Sequence, residues 1–261
     1  MAGLENQKIV LVGAGNLATR LGLELKAKGC NIVQVYSRTA ESATILGEQL
    51  NVPHTTNTVE IMKRQDLYIF SIKDDALPEI ISNIDYTGGL WVHTAGGVDS
   101  AVFRDKAERY GVFYPLQSFS KTRVFDFFKV PVCIEAANEA DYSYLESIGK
   151  LISDRVIAMN SEQRRYLHLA AVFSSNFVNH LYVVAFKLLE EQGMDGSVLL
   201  PLMEETEAKV HTIHPFDAQT GPALRNDRNV MEKHLSLLND NELRQLYEML
   251  SNHIQKTHRH E

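Results

Sequence analysis

Apolar positions along this chain change their period once, near Asn160, and the two stretches imply different architectures. From Lys8 to about Met159, short Val- and Ile-rich runs alternate with amphipathic segments, the pattern of a parallel sheet wrapped by helices. Strands are expected at Lys8 to Val12, Asn31 to Ser37, Leu67 to Ile72, Leu90 to Thr94, Val112 to Tyr114, Pro131 to Ile134 and Arg155 to Met159, with helices beginning near Gly15, Thr39, Asp74, Asp99 and Asn138. Leu67-Tyr68-Ile69-Phe70-Ser71-Ile72 is almost wholly apolar, as a strand covered on both faces must be, so it is expected at the centre of the sheet.

After Asn160 the period becomes helical. Asn160 is suited to cap a helix, with Gln163 three residues on to complete a capping box. No proline or glycine interrupts the segment until Gly193, a residue type that tolerates a left-handed terminus. Further helical stretches are expected from Ser197 to Ile213 and from about Pro222 to His258, with breaks at His214-Pro215 and Gly221-Pro222. The expected architecture is thus of the α/β class, a doubly wound parallel Rossmann sheet over residues 1–160 followed by an all-helical C-terminal domain over residues 161–261. Thr257 to Glu261 reads as a frayed polar tail.

Composition narrows the function classes. The 261 residues carry 44% hydrophobic side chains, enough for a sizeable core, and a net charge of -7 with no basic run, which disfavours a broad nucleic-acid footprint. The first residues hold no apolar signal segment, and no uninterrupted stretch of about eighteen apolar residues follows, so no membrane partner and a cytoplasmic location are expected. The two cysteines, Cys30 and Cys133, have no metal-ligand spacing and read as reduced packing residues.

The strongest chemical signal is Gly13-Ala14-Gly15-Asn16-Leu17-Ala18, directly after the first strand and opening a helix. In a dinucleotide fold the first glycine makes the tight turn, the second admits the pyrophosphate, and a small third residue lets the helix pack on the strand. A plain strand-to-helix turn is the alternative, but strand, turn, helix and second strand arrive in the order the fingerprint requires. No Gly-Lys-Ser/Thr follows, which excludes a mononucleotide P-loop. The second strand ends in Ser37-Arg38-Thr39, where NAD-selective proteins place a carboxylate for the ribose hydroxyl. A guanidinium and two hydroxyls suit a 2′-phosphate instead, so NADP is the expected cofactor. The plainer reading of Arg38 is a solvated residue at a helix start.

With Ser71-Ile72-Lys73 and Val92-His93-Thr94-Ala95-Gly96 added, residues 8–160 resemble the pyrroline-5-carboxylate reductase and deazaflavin-dependent NADP oxidoreductase branch of the phosphogluconate dehydrogenase-like superfamily. His168-Leu169-Ala170-Ala171-Val172-Phe173-Ser174-Ser175-Asn176-Phe177, Thr220-Gly221-Pro222-Ala223-Leu224-Arg225-Asn226-Asp227 and Tyr114-Pro115-Leu116-Gln117-Ser118-Phe119 are similar to a bacterial family that joins a Rossmann-like domain to a helical domain of unknown function. The resemblance implies that Ile72-Lys73 and Thr94-Ala95-Gly96 line the nicotinamide, with the Gly96-Gly97 pair allowing close approach.

Hydride transfer asks the protein for orientation, a proton carrier and exclusion of water. On the long helix His168, Ser175 and Asn179 are spaced by seven and four and share a face, with Asn176 beside it. Hydroxyacid-active relatives carry a lysine four residues before this asparagine; here the position is Val172. That leaves His168 or an outside group as proton carrier, with Ser175 and Asn176 orienting the substrate, although a hydrogen-bonded core histidine explains His168 equally well. Thr220-Gly221-Pro222 is expected to open the last helical region, where Arg225 suits a substrate carboxylate and Asp227 reads as surface charge. Glu204, Glu207, His211 and His214 fall on one stripe, better explained by helix ion-pair spacing than by metal, and no metal is expected. The sequence therefore points to an NADP-dependent oxidoreductase acting on a small, anionic imine or carbonyl compound in an interdomain cleft, dimeric through its apolar helical half. The alternatives are a non-catalytic NADP(H) sensor and a deazaflavin-linked reductase.

Overall fold

The computed structural model describes residues 6–85 and 88–258, so the residues of the expected polar tail beyond His258 and the first five residues lie outside it. Among the described residues eight strands form one sheet: β1 (Lys8–Val12), β2 (Asn31–Tyr36), β3 (His54–Thr55), β4 (Leu67–Phe70), β5 (Leu90–His93), β6 (Arg109–Pro115), β7 (Val132–Ala136) and β8 (Val156–Ala158). Their order is β3-β2-β1-β4-β5-β6-β7-β8, and every residue of the apolar run in β4 is buried at the middle of the sheet. The chain steps outward from β1 to β2 and β3, then returns to place β4 on the other side of β1. A crevice opens at such a reversal, outside the carboxyl ends of the strands.

Helices cover both faces. Along β1, Ile9 and Leu11 join the core beneath α1 (Asn16–Ala27), α2 (Ala40–Leu50) and α4 (Glu139–Ile152), where they meet Leu21, Leu46 and Leu145. Val10 and Val12, pointing the other way, join Tyr68, Phe70, Trp91 and Phe103 under α3 (Leu77–Asn83). This strict alternation along a strand with no polar face is what a doubly wound sheet requires.

Two expectations change here. The β6–β7 pair is antiparallel, whereas the other neighbours are parallel. The connection between them holds only a 3₁₀ turn, Phe127–Lys129, and without a crossover helix the chain returns in the opposite direction. The helix expected after Asp99 is likewise a single 3₁₀ turn, Ser100–Phe103, with the Asp99 carboxylate accepting from the Ala101 N–H at 2.9 Å.

The helical part begins as its cap predicts. Asn160 accepts from the Gln163 N–H at 2.9 Å while Gln163 accepts from the Asn160 N–H at 3.1 Å, a complete capping box on α5 (Ser161–Ala171). A π-helical segment, Val172–Phe177, follows, and then α6 (Val178–Glu190), with Gly193 in the left-handed conformation at φ 71°. Two compact units divide inside this helical run, at Met1–Asn179 and His180–Glu261. The run Ser161–Glu190 is also long and apolar enough to cross a membrane by length and composition, and none of its most apolar window is buried. Ser174, Ser175, Asn176, Asn179 and His180 interrupt its apolar residues, so no uninterrupted apolar stretch marks it in the sequence.

In the second unit α7 (Leu200–Val210) is followed by the short α8 (Pro215–Ala218), then α9 (Arg228–Leu237) and α10 (Asn241–His258). The helix expected from Pro222 is delayed to Arg228. Gly221 and Asn226 both have positive φ, and Asp227 caps α9 by accepting from the Val230 N–H at 3.2 Å. Asp227 is thus a helix cap, and Thr220-Gly221-Pro222 is a turn ahead of it. Thr257 and His258 belong to α10.

Candidate functional site

The glycine turn sits at the topological reversal. Gly13 has φ 125°, and a Cβ there would stand 2.1 Å from the Ser71 carbonyl oxygen and 2.9 Å from Ile72 Cγ2, so no side chain fits. Its N–H donates to the Tyr36 carbonyl at 2.7 Å, and the Ser71 N–H donates to the Val12 carbonyl at 2.8 Å, fastening the ends of β1, β2 and β4 together. Gly15, by contrast, has open space where a Cβ would be. It stands at the start of α1, which has no side-chain cap and no acidic residue in its first turn. The amides of that turn are therefore free for an anion, and the helix dipole favours one.

A cavity of about 680 Å³ within the first unit gathers the sequence candidates: Gly13, Gly15, Asn16 and Leu17 from the turn, Ser37, Arg38 and Thr39 from the end of β2, Ile72 and Lys73 beyond β4, and Thr94, Ala95 and Gly96 beyond β5. Tyr36, Ser42, Asp74, Glu79, Tyr114, Gln117, Lys121 and His168 also line it. Thr94 Oγ1 donates to Ser71 Oγ at 3.2 Å, tying the ends of β4 and β5. Asn16 is in part committed elsewhere, since its side-chain amide donates to the Phe119 carbonyl at 3.0 Å.

Gly96 serves a different end from close approach to a ligand alone. A Cβ at Gly96 would lie 2.6 Å from His168 Nδ1, so its absence makes room for the imidazole of α5. The same Nδ1 lies 3.2 Å from Tyr114 Oη, with the two rings edge to face at 6.2 Å between centroids. Tyr114 is buried at the end of β6, and burial is the main reason its hydroxyl is pushed up to about 12, so it holds its proton at neutral pH. In the sequence Tyr114 stands out only as part of the Tyr114-Pro115-Leu116-Gln117-Ser118-Phe119 resemblance. The signal that would have found it is its place at the carboxyl end of a strand next to β5, where ligand sites of open α/β sheets gather.

α5 is held in place by a buried ion pair. Arg164, fully buried one turn before His168, pairs with Glu135 of β7 and donates to the Val98 carbonyl, while Ser161 Oγ donates to Glu135 at 2.8 Å. Ser100 Oγ donates to the same carboxylate at 2.8 Å, so β7, α5 and the segment after β5 share one network. Beside it His93 is wholly buried. Its Nδ1 accepts from the Ala95 N–H at 3.2 Å, and burial, with repulsion from Arg164, lowers its pKa to about 3.

Other candidates lie apart. Ser175 and Asn176 are exposed on the π-helical segment and do not line the cavity, and the wider turn there departs from the helical register that seven- and four-residue spacings assume. Arg225 is exposed in the second unit. Among the described residues no group of three or more His, Cys, Asp or Glu side chains is arranged to hold a metal, and both cysteines are free and buried.

Comparison with known proteins bears on what the cavity takes. Residues 8–93 match the family described as NADP oxidoreductase, coenzyme F420-dependent, and residues 130–254 match a domain of unknown function, DUF2520. A Bacteroides fragilis protein, provisionally described as an NADP oxidoreductase, is 45% identical, with 97% of this chain and 100% of that one covered and a TM-score of 0.90. The chain belongs to this NADP oxidoreductase family. A pyrroline-5-carboxylate reductase from Streptococcus pyogenes (14% identity, 95% and 98% coverage, TM-score 0.66) and an imine reductase from Myxococcus stipitatus in complex with NADP+ (14%, 95% and 92%, 0.64) share its fold. No protein of curated function matches. The residues of the cavity fit the family's cofactor: an uncapped helix start behind two glycines for the pyrophosphate, and Ser37, Arg38 and Thr39, with no carboxylate among them, where the second strand ends.

Proposed function

We propose that this oxidoreductase is a cytoplasmic enzyme that reduces a small, anionic imine or carbonyl compound with NADPH. The observation that carries the reading is the contact of Tyr114 Oη with His168 Nδ1 at 3.2 Å in the same cavity as the glycine turn. When bound, NADPH supplies a hydride to an electrophilic carbon. The chain supplies the proton. With its hydroxyl protonated at neutral pH, Tyr114 is placed to donate to Nδ1; as the Nε2 proton of His168 passes to the substrate nitrogen or oxygen, the phenolic proton passes to Nδ1, and water restores it to the tyrosine afterwards. Gly13, Gly15, Asn16 and Leu17 hold the pyrophosphate, Ser37, Arg38 and Thr39 the 2′-phosphate, and Ile72, Lys73, Thr94, Ala95 and Gly96 the nicotinamide end.

The test pairs binding with turnover. NADPH is expected to bind at least tenfold more tightly than NADH, and Arg38→Ala to abolish the difference; equal affinities in the parent protein would remove the NADP reading. C4-deuterated NADPH is then supplied with cyclic imines, oxo acids and an oxidised deazaflavin. Stereospecific label transfer to an imine or oxo acid that His168→Ala eliminates supports the enzyme, and transfer to the deazaflavin alone redirects the substrate. Tight NADPH binding with no transfer to anything would favour a non-catalytic sensor.

A homodimer through the helical half belongs to the same reading. Tyr166, Leu169, Phe173 and Phe177 are exposed on the first part of the helical run, and Leu181, Tyr182, Val183 and Leu188 on the second. Apolar surface of this extent on one run marks an interaction face. Light scattering at micromolar concentration is expected to give twice the monomer mass of 29.4 kDa, and a monomer would contradict it.

A further inference from the structure

The connection from β6 to β7 is fastened to the start of α1 at more than one point. Asn16 holds the Phe119 carbonyl at 3.0 Å, and the Arg20 guanidinium lies over the Phe125 ring, 5.2 Å from its centroid. Phe119, Phe125 and Phe127 pack on one another at 5.8 to 5.9 Å between centroids, and Phe127 is buried in the core that α1 covers. Lys121 lies between the two anchors Phe119 and Phe125, at a turn where Ser120 Oγ and Thr122 Oγ1 are 3.2 Å apart, and it lines the cavity that holds the glycine turn. Its side chain is exposed and forms no ion pair or hydrogen bond among the described residues.

We propose that residues 117–126 are a strap across the dinucleotide and that the Lys121 ammonium binds its pyrophosphate. The proposal rests on the placement of NADP(H) in this cavity. A pyrophosphate brings two negative charges, for which the start of α1 offers neutral N–H groups and a partial dipole charge. A cation beside them adds to the neutralisation. Of the other cations in the lining, Arg38 stands at the end of β2, where a 2′-phosphate would lie, and Lys73 follows β4 at the end assigned to the nicotinamide, beside the carboxylate of Asp74; Glu79 adds a second carboxylate. The bond from Asn16 to Phe119 ties the strap to the start of α1 two residues before Lys121, which makes Lys121 the lining cation carried on a segment fixed to that helix start. A lysine suits a phosphate contact made as a point charge from a surface segment.

Titrations of wild type, Lys121→Ala, Lys121→Arg and Arg38→Ala with NADPH and with NADH test this without any substrate. Lys121→Ala is expected to weaken both nucleotides by the same factor, about five- to thirty-fold at low salt and less at high salt. Lys121→Arg restores most of the loss, and NADPH slows hydrogen exchange across residues 117–126. Unchanged affinities in Lys121→Ala, or a loss for NADPH alone, would overturn the pyrophosphate contact while a selective defect in Arg38→Ala keeps the cofactor placement standing. Failure of wild type to bind either nucleotide would overturn both.

Discussion

At Gly96 a hydrogen in place of a methyl group decides where His168 stands. An added Cβ meets Nδ1 at 2.6 Å, the same atom that lies 3.2 Å from Tyr114 Oη, so the imidazole must swing away from the tyrosine. The obstruction extends to His168 Cγ at 2.7 Å and Cβ at 3.0 Å, so turning the ring does not clear it and α5 must also give way. Gly96→Ala is therefore expected to lower kcat by about a hundredfold, the usual worth of a positioned acid, and to lower the thermal midpoint by a few degrees through overpacking. Steady-state kinetics beside a melting curve checks this; a kcat near wild type would detach the Tyr114–His168 pair from the chemistry. Gly13 was legible in the sequence because a turn motif carries its own context. Gly96 was legible only as part of a strand-to-helix turn, since the ring it accommodates comes from a helix 72 residues further on.

Among the elements, α5 depends on one buried guanidinium. Arg164 is wholly enclosed and its partners span β7 and the segment after β5, so truncation leaves the Glu135 charge without its counter-ion. Breaking such a pair costs about 3–5 kcal/mol. Arg164→Ala is expected to lower stability by that amount in chemical denaturation, and adding Glu135→Gln to recover part of it; additive losses would show that the two residues act independently. The cap of α5 was readable, because a capping box spans four consecutive residues. Arg164 was not, because a cation in an amphipathic helix looks the same whether water or a carboxylate waits for it. The antiparallel return of β7 escaped for a related reason: period and composition mark a strand but not its direction, which the length and content of the connection decide.

For the molecule as a whole, His93 sets an acid limit to stability. Its native pKa is lowered to about 3, against about 6.5 in an unfolded chain. Between those values the unfolded state binds a proton that the native state does not, so stability is fully present above pH 6.5 and declines as the pH falls towards 3. The loss by pH 5 is about 2 kcal/mol from this group. Denaturant titrations at pH 7 and pH 5 are expected to show it, and His93→Phe to remove that increment even if the variant is less stable throughout. An equal loss in the variant would assign the acid sensitivity to other groups.

The order of local periods along the chain determined the α/β sheet, the central strand, the glycine turn and the long capped helix, since each is specified by residues within a few positions of one another. The arginine and two hydroxyls at the end of β2, with no carboxylate among them, were readable in the same way, because those residues declare their charge without reference to any neighbour. The pairing of Tyr114 with His168, the strap that presents Lys121 and the enclosure of Arg164 were decided only by the tertiary structure. Each joins elements tens of residues apart, and a contact of that kind exists only after the sheet has brought strand ends together; nothing in the separate segments records which side chain will arrive there.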